Sequence, residues 1–125
     1  MGYRALDATR GAAVEALCEL IVPGSASAGP AVYVDALIAN MPPPVQEAAY
    51  AAIDALAPAA AKGAEALAEH EHTPEFGFVR ALAIEAYYSD FVAPGRDATG
   101  AWAEIDFSTP LATRLSKDWS YLGVA

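Results

Sequence analysis

Cysteine is almost absent from this chain: Cys18 is the only one in 125 residues. A lone thiol forms no internal disulfide, so the fold must rest on packing rather than on a covalent framework. Within a helical pattern, Cys18 reads as a small buried hydrophobe, the alternatives being an intermolecular disulfide or a reactive thiol. Basic residues are also scarce, seven against sixteen acids, and the formal net charge is −9. Those seven are scattered from Arg4 to Lys117, whereas a phosphate-binding face needs clustered Lys and Arg. Nucleic acid is thereby excluded as an expected partner, and an anionic membrane surface is disfavoured. No apolar run approaches the roughly 18 residues that span a bilayer, which predicts no direct membrane insertion. The opening Met1-Gly-Tyr-Arg-Ala-Leu-Asp7 lacks the charged region, apolar stretch and cleavage site of an export signal, so a cytoplasmic setting is expected.

What the chain has in abundance is alanine and other apolar residues. Hydrophobic residues reach 55% and charged ones only 18%, enough apolar material for one domain over residues 1–125 with its own core. Alanine favours helices but contributes little area to a core, so close helix packing is expected, with apolar surface left over for a partner. The predicted fold is all-α: a small irregular bundle of about five helices with a long loop and an extended C-terminal tail. No segment alternates as a strand does, and no internal repeat occurs.

The first helix is predicted from Asp7 or Thr9 to about Val22, with Val14, Leu17, Cys18 and Ile21 on one side and Glu15 and Glu19 on another. Pro23-Gly24 ends it. Pro30 opens a second helix carrying Tyr33, Val34, Leu37 and Ile38 at helical spacing. Asn40 is the predicted cap of a third, whose stripe is Val45, Ala49, Ala52, Ile53 and Leu56. From Pro58 to Glu69 a marginal helix is expected, with Leu67 its one large apolar residue. Thr73-Pro74-Glu75 combines cap, first-turn proline and first-turn acid, and predicts a helix to about Ser89. Phe76, Phe78, Val79, Leu82, Ile84, Tyr87 and Tyr88 make that helix apolar almost all round, which predicts the central helix of the bundle. One last short helix is expected from Thr109-Pro110 to about Leu115.

Few residues here suit chemistry. His70 and His72 lie two apart at a helix end and point away from each other, whereas metal pairs on a helix sit near i, i+4. No Gly-x-Ser-x-Gly elbow, dinucleotide fingerprint or phosphate loop occurs. Glu85 lies within the most apolar helix, so its carboxylate is expected to pair with Arg80, Arg96 or a backbone donor. The loop from Ser89 to Trp102 holds turn formers, charges and aromatics in one stretch: Asp90, Pro94-Gly95, Arg96-Asp97, Gly100 and Trp102. It either packs on its own domain or presents a surface to a partner. The tail raises the same pair of alternatives, since Trp119, Tyr121, Leu122 and Val124 are costly to leave in water. The candidate partner-facing residues are Tyr87, Tyr88, Asp90, Arg96, Asp97, Trp102, Trp119 and Tyr121, with no catalytic, cofactor or metal residue assigned to this chain.

Four segments carry a resemblance. Ala16-Leu-Cys-Glu-Leu-Ile-Val-Pro-Gly24 is a proline-terminated helix followed by a small-residue loop. Tyr33-Val-Asp-Ala-Leu-Ile38 gives an aromatic/apolar-Asp-x-Leu helix, and Glu85-Ala-Tyr-Tyr-Ser-Asp90 and Gly95-Arg-Asp97 with Trp102 follow. In this order they resemble the gluconate 2-dehydrogenase subunit 3 family. Phe91 stands where that family commonly has proline, the Asn before Arg96-Asp97 is missing, and Ala101 precedes Trp102 in place of glycine. The resemblance implies a small helical accessory subunit of an FAD-dependent oxidoreductase of the glucose-methanol-choline type. The large flavoprotein would carry the FAD and the catalytic residues and act on sugars, glycosides or related alcohols. Exported members of that family use a twin-arginine leader, so export with such a partner is the alternative to the cytoplasmic expectation.

Overall fold

The computed structural model describes residues 2–96, 98, 100, 101, 122 and 123. They form an all-helical bundle of five helices, with no strand among the described residues: α1 (Ala8–Ile21), α2 (Pro30–Ala39), α3 (Pro43–Lys62), α4 (Ala64–Ala68) and α5 (Pro74–Tyr88). A single 3-10 turn, Ser25–Ala28, joins α1 to α2. Among the described residues no helix is long and apolar enough to cross a membrane. The predicted helix near Thr109–Leu115 and most of the tail lie outside the described residues.

Helix starts follow the local chemistry. The Asp7 carboxylate accepts from the Arg10 N–H at 2.7 Å and opens α1. Thr73 Oγ1 accepts from the Phe76 N–H at 3.2 Å and opens α5, with Pro74 in its first turn. Replacing Thr73 with alanine is expected to cost about 1 kcal/mol, read as a lower denaturant midpoint with an unchanged slope. Asn40 does not cap α3. Its amide donates to the Ala36 carbonyl at 2.9 Å and closes α2, while Pro42 precedes α3. Gln46, in the first turns of α3, donates to the Ile38 carbonyl at 2.9 Å, so the α2–α3 corner satisfies its own orphan acceptors.

Three expectations are corrected by packing. Pro58 does not open a separate marginal helix: α3 runs through it to Lys62 and stops at Gly63, whose φ is 116°. A proline inside a helix removes one donor to the residue four back, here Asp54, and both side chains are exposed, so water can serve that carbonyl. Val45 leaves the stripe it was read into and is exposed, because the first turn of α3 projects past the core. The third correction concerns the helix read as the core: α5 is not buried all round, and α2 is buried over more of its length. Seven of the ten residues of α2 are buried, against Val79, Ala83, Ala86 and Tyr87 in the fifteen of α5. Small residues Ala31 and Ala36 let neighbouring helices approach α2 closely, whereas in α5 the Phe76 and Phe78 rings are half-buried and Tyr88 is exposed. Leu67, as expected, is the buried anchor of α4.

The chain ends meet. Buried Asp35 in α2 accepts from three successive backbone N–H groups, Arg4 at 2.7 Å, Ala5 at 2.8 Å and Leu6 at 2.9 Å. Tyr50 donates to the Ala5 carbonyl at 3.1 Å, and the Arg4 guanidinium donates to the carbonyl of Leu122. Leu122 is buried in the main core, so this part of the tail folds back onto the domain.

Candidate interface loop

The loop after α5 is locked to the α1–α2 junction, and the lock begins at Asp90. This residue has φ 66°, a left-handed conformation that Asp tolerates better than most, and its N–H donates to the Tyr87 carbonyl at 3.1 Å. Its side chain is buried and lies against Gly100, where any Cβ would overlap the carboxylate. Phe91 follows, fully buried, its ring edge-on to Tyr33 with centroids 5.3 Å apart. Ala93 then donates its N–H to the Ala28 carbonyl at 2.8 Å.

Close approach explains Gly29. Its φ is 68°, and a Cβ there would lie 2.7 Å from the Ala93 Cβ and 3.3 Å from Arg96 Nε. Arg96 lies against Gly29 and donates to the Ala26 carbonyl at 3.1 Å, with its other terminal nitrogen 3.9 Å from Glu15 Oε1. Below it, the Glu19 carboxylate accepts from the N–H groups of Gly24 at 2.7 Å and Ala26 at 3.0 Å, bonds that hold its carboxyl below the usual range. Ser25 is buried and donates to the Cys18 carbonyl at 3.0 Å.

Glu15 and Glu19 were read only as the polar side of α1, yet both work at this junction. Burial pushes the Glu15 carboxyl above its usual value, against the attraction of Arg96 and the Ala31 N–H. Glu15 also helps burial drive the Cys18 thiol up to about 12, so at neutral pH this buried cysteine is protonated and a poor nucleophile. Tyr3, whose ring lies over Gly11, is raised chiefly by burial and then by Glu15.

Of the eight candidate residues, four are described. Tyr87 and Asp90 are buried within the chain. Tyr88 is 48% exposed and packs edge-on to Tyr87 with ring centroids 5.3 Å apart, and Arg96 is exposed. Asp97, Trp102, Trp119 and Tyr121 lie outside the described residues. Glu85 needs no countercharge because it faces solvent on the outer side of α5. His72 is also exposed, 3.4 Å from Glu71, and among the described residues no group of three His, Cys, Asp or Glu could hold a metal.

The chain matches no family model, no curated protein and no solved structure. One further surface feature had no clear sequence signal. Between α1, α4 and α5 an open groove of about 220 Å³ is lined by Leu20, Ile21, Leu67 and Phe76, with Glu71 and Arg80 also on its wall. Its parts lie some fifty residues apart in sequence, so only tertiary packing assembles it.

Proposed function

We propose that this chain is a non-catalytic small subunit that binds, stabilises and helps mature a large FAD-dependent oxidoreductase acting on sugars, glycosides or related alcohols. The observation that carries the reading is the convergence of the four resembling segments. Val22, from the turn that ends the first segment, packs with Ala28, Tyr87 and Ala101. Tyr33 of the second meets Phe91 just after the third, and Arg96 of the fourth reaches the loop behind the first. Segments that resemble one family in sequence order thus form one spatial unit. Tyr88 gives that unit an exposed aromatic ring, beside the small apolar cluster that also includes half-buried Ile84 and Val92. In this reading FAD and the reacting groups belong to the partner.

Co-expression with the flavoprotein encoded beside it, where one is present, tests the reading. The two chains are expected to co-purify through an interface above roughly 2,000 Å², with more flavin-loaded large subunit than when it is made alone. A stable monomer that leaves the yield and flavin content of the neighbour unchanged overturns it. The groove supports a second reading, a free-standing helical module that binds a small ligand or peptide. It ranks lower because small-molecule pockets usually hold about 300–1,000 Å³, more than this groove offers.

A further inference from the structure

We propose that Glu15 and Arg96 form a proton-operated latch on the loop after α5: the ionised carboxylate holds the guanidinium against Gly29, and the protonated carboxyl lets it go. Glu15 Oε1 is buried away from water without a hydrogen-bond partner, an unusual state for a carboxylate oxygen. Among the described residues, its countercharge is the Arg96 nitrogen at 3.9 Å, beyond hydrogen-bond range. This oxygen is therefore held toward Arg96 by charge rather than by a directed bond, and losing that charge removes the hold.

The other groups around Glu15 leave this role to Arg96. Tyr3 from the N-terminal segment and Cys18 from α1 both have raised pKa values and carry no charge at neutral or acid pH. From α2, the Ala31 N–H favours the charged form of Glu15, and Asp35 is already bonded to three backbone N–H groups. Arg96 itself is exposed, and among the described residues its other side-chain anchor is the Ala26 carbonyl. Without the Glu15 charge, the loop keeps the Arg96 bond to Ala26, the Ala93–Ala28 main-chain bond and the buried Phe91 ring. The latch involves only residues of this chain, so it stands or falls separately from the flavoprotein reading.

Because burial raises its pKa, Glu15 binds a proton more readily folded than unfolded. Its contribution to stability therefore grows as pH falls through its folded titration toward about 4.5, its ordinary value, and is lost as pH rises. Protonation should thus firm the body while loosening the loop. The test is amide exchange at Ala93 in the full chain from about pH 4 to about pH 8, corrected for intrinsic rates, with the Glu15 carboxyl followed by its carbon chemical shift. Protection at Ala93 is expected to fall roughly two- to fivefold as Glu15 takes up its proton, while core amides of α2 do not loosen. Glu15→Gln should show the low protection at every pH. Arg96→Gln, a substitution on the surface that leaves the buried carboxyl in place, should do the same. A pH-independent Ala93 in the unaltered chain, a pH step that persists in Glu15→Gln, or loosening shared by all amides overturns the proposal.

Discussion

Replacing Asp35 with alanine is expected to remove about 3–5 kcal/mol of folding stability, measured as ΔG from urea unfolding. The carboxylate accepts from three consecutive backbone N–H groups, and one of the donors, Leu6, is buried. Bonds to a charged acceptor contribute about 1.5–3 kcal/mol each, and a buried donor left without its partner adds its own desolvation cost. The strap also holds Arg4, which in turn reaches the Leu122 carbonyl, so the N-terminal segment and the returning tail should loosen together. Asp35→Asn keeps one good acceptor and should lose less. A loss under about 1 kcal/mol for the alanine variant would show that the chain ends are held mainly by apolar contacts.

Gly29→Ala is the second large effect, at about 2–5 kcal/mol. The left-handed backbone accounts for about 1–2 kcal/mol of it. Forcing a methyl to within 2.7 Å of the Ala93 Cβ accounts for the rest, since overpacking costs about 1–3 kcal/mol. Gly24→Ala separates the two contributions, because Gly24 has φ 90° but open space around its missing Cβ. It should show the backbone part alone. Adding Ala93→Gly to Gly29→Ala should recover the contact part and restore exchange protection at residue 93. If Gly24→Ala and Gly29→Ala cost the same, the loop does not press on this junction.

Much of the frame was legible because its signals are local. Asp7 and Thr73 cap their helices through a side chain three residues from its donor, and Pro30 and Pro74 sit in first turns where no donor is missed. The apolar stripe of α1 needed only the helical period to find Val14, Leu17 and Cys18. Where the reading failed, the deciding partner was distant in sequence. Nothing near Pro58 says that its helix will continue, and nothing in the composition of α5 says that α2 will be the more buried helix. Glu85 was read as a charge in need of a partner, yet it faces water, while Glu15, read only as lying on another side of α1 from the apolar stripe, carries a buried oxygen. Helical periodicity gives the angle of each side chain around its own axis but not which neighbours close over it.

By itself, the sequence determined an acidic, all-helical, disulfide-free chain, the start of most helices and the residues that punctuate its turns. These follow from side-chain chemistry acting within one or two helical turns. Only the tertiary structure decided that Asp35 straps the N-terminus, that Arg96 reaches back to Ala26 and Glu15, and that Gly29 must lack a side chain. Each of those contacts joins residues about thirty to eighty apart, and such pairs are chosen by how the helices pack against one another, a choice no local pattern encodes.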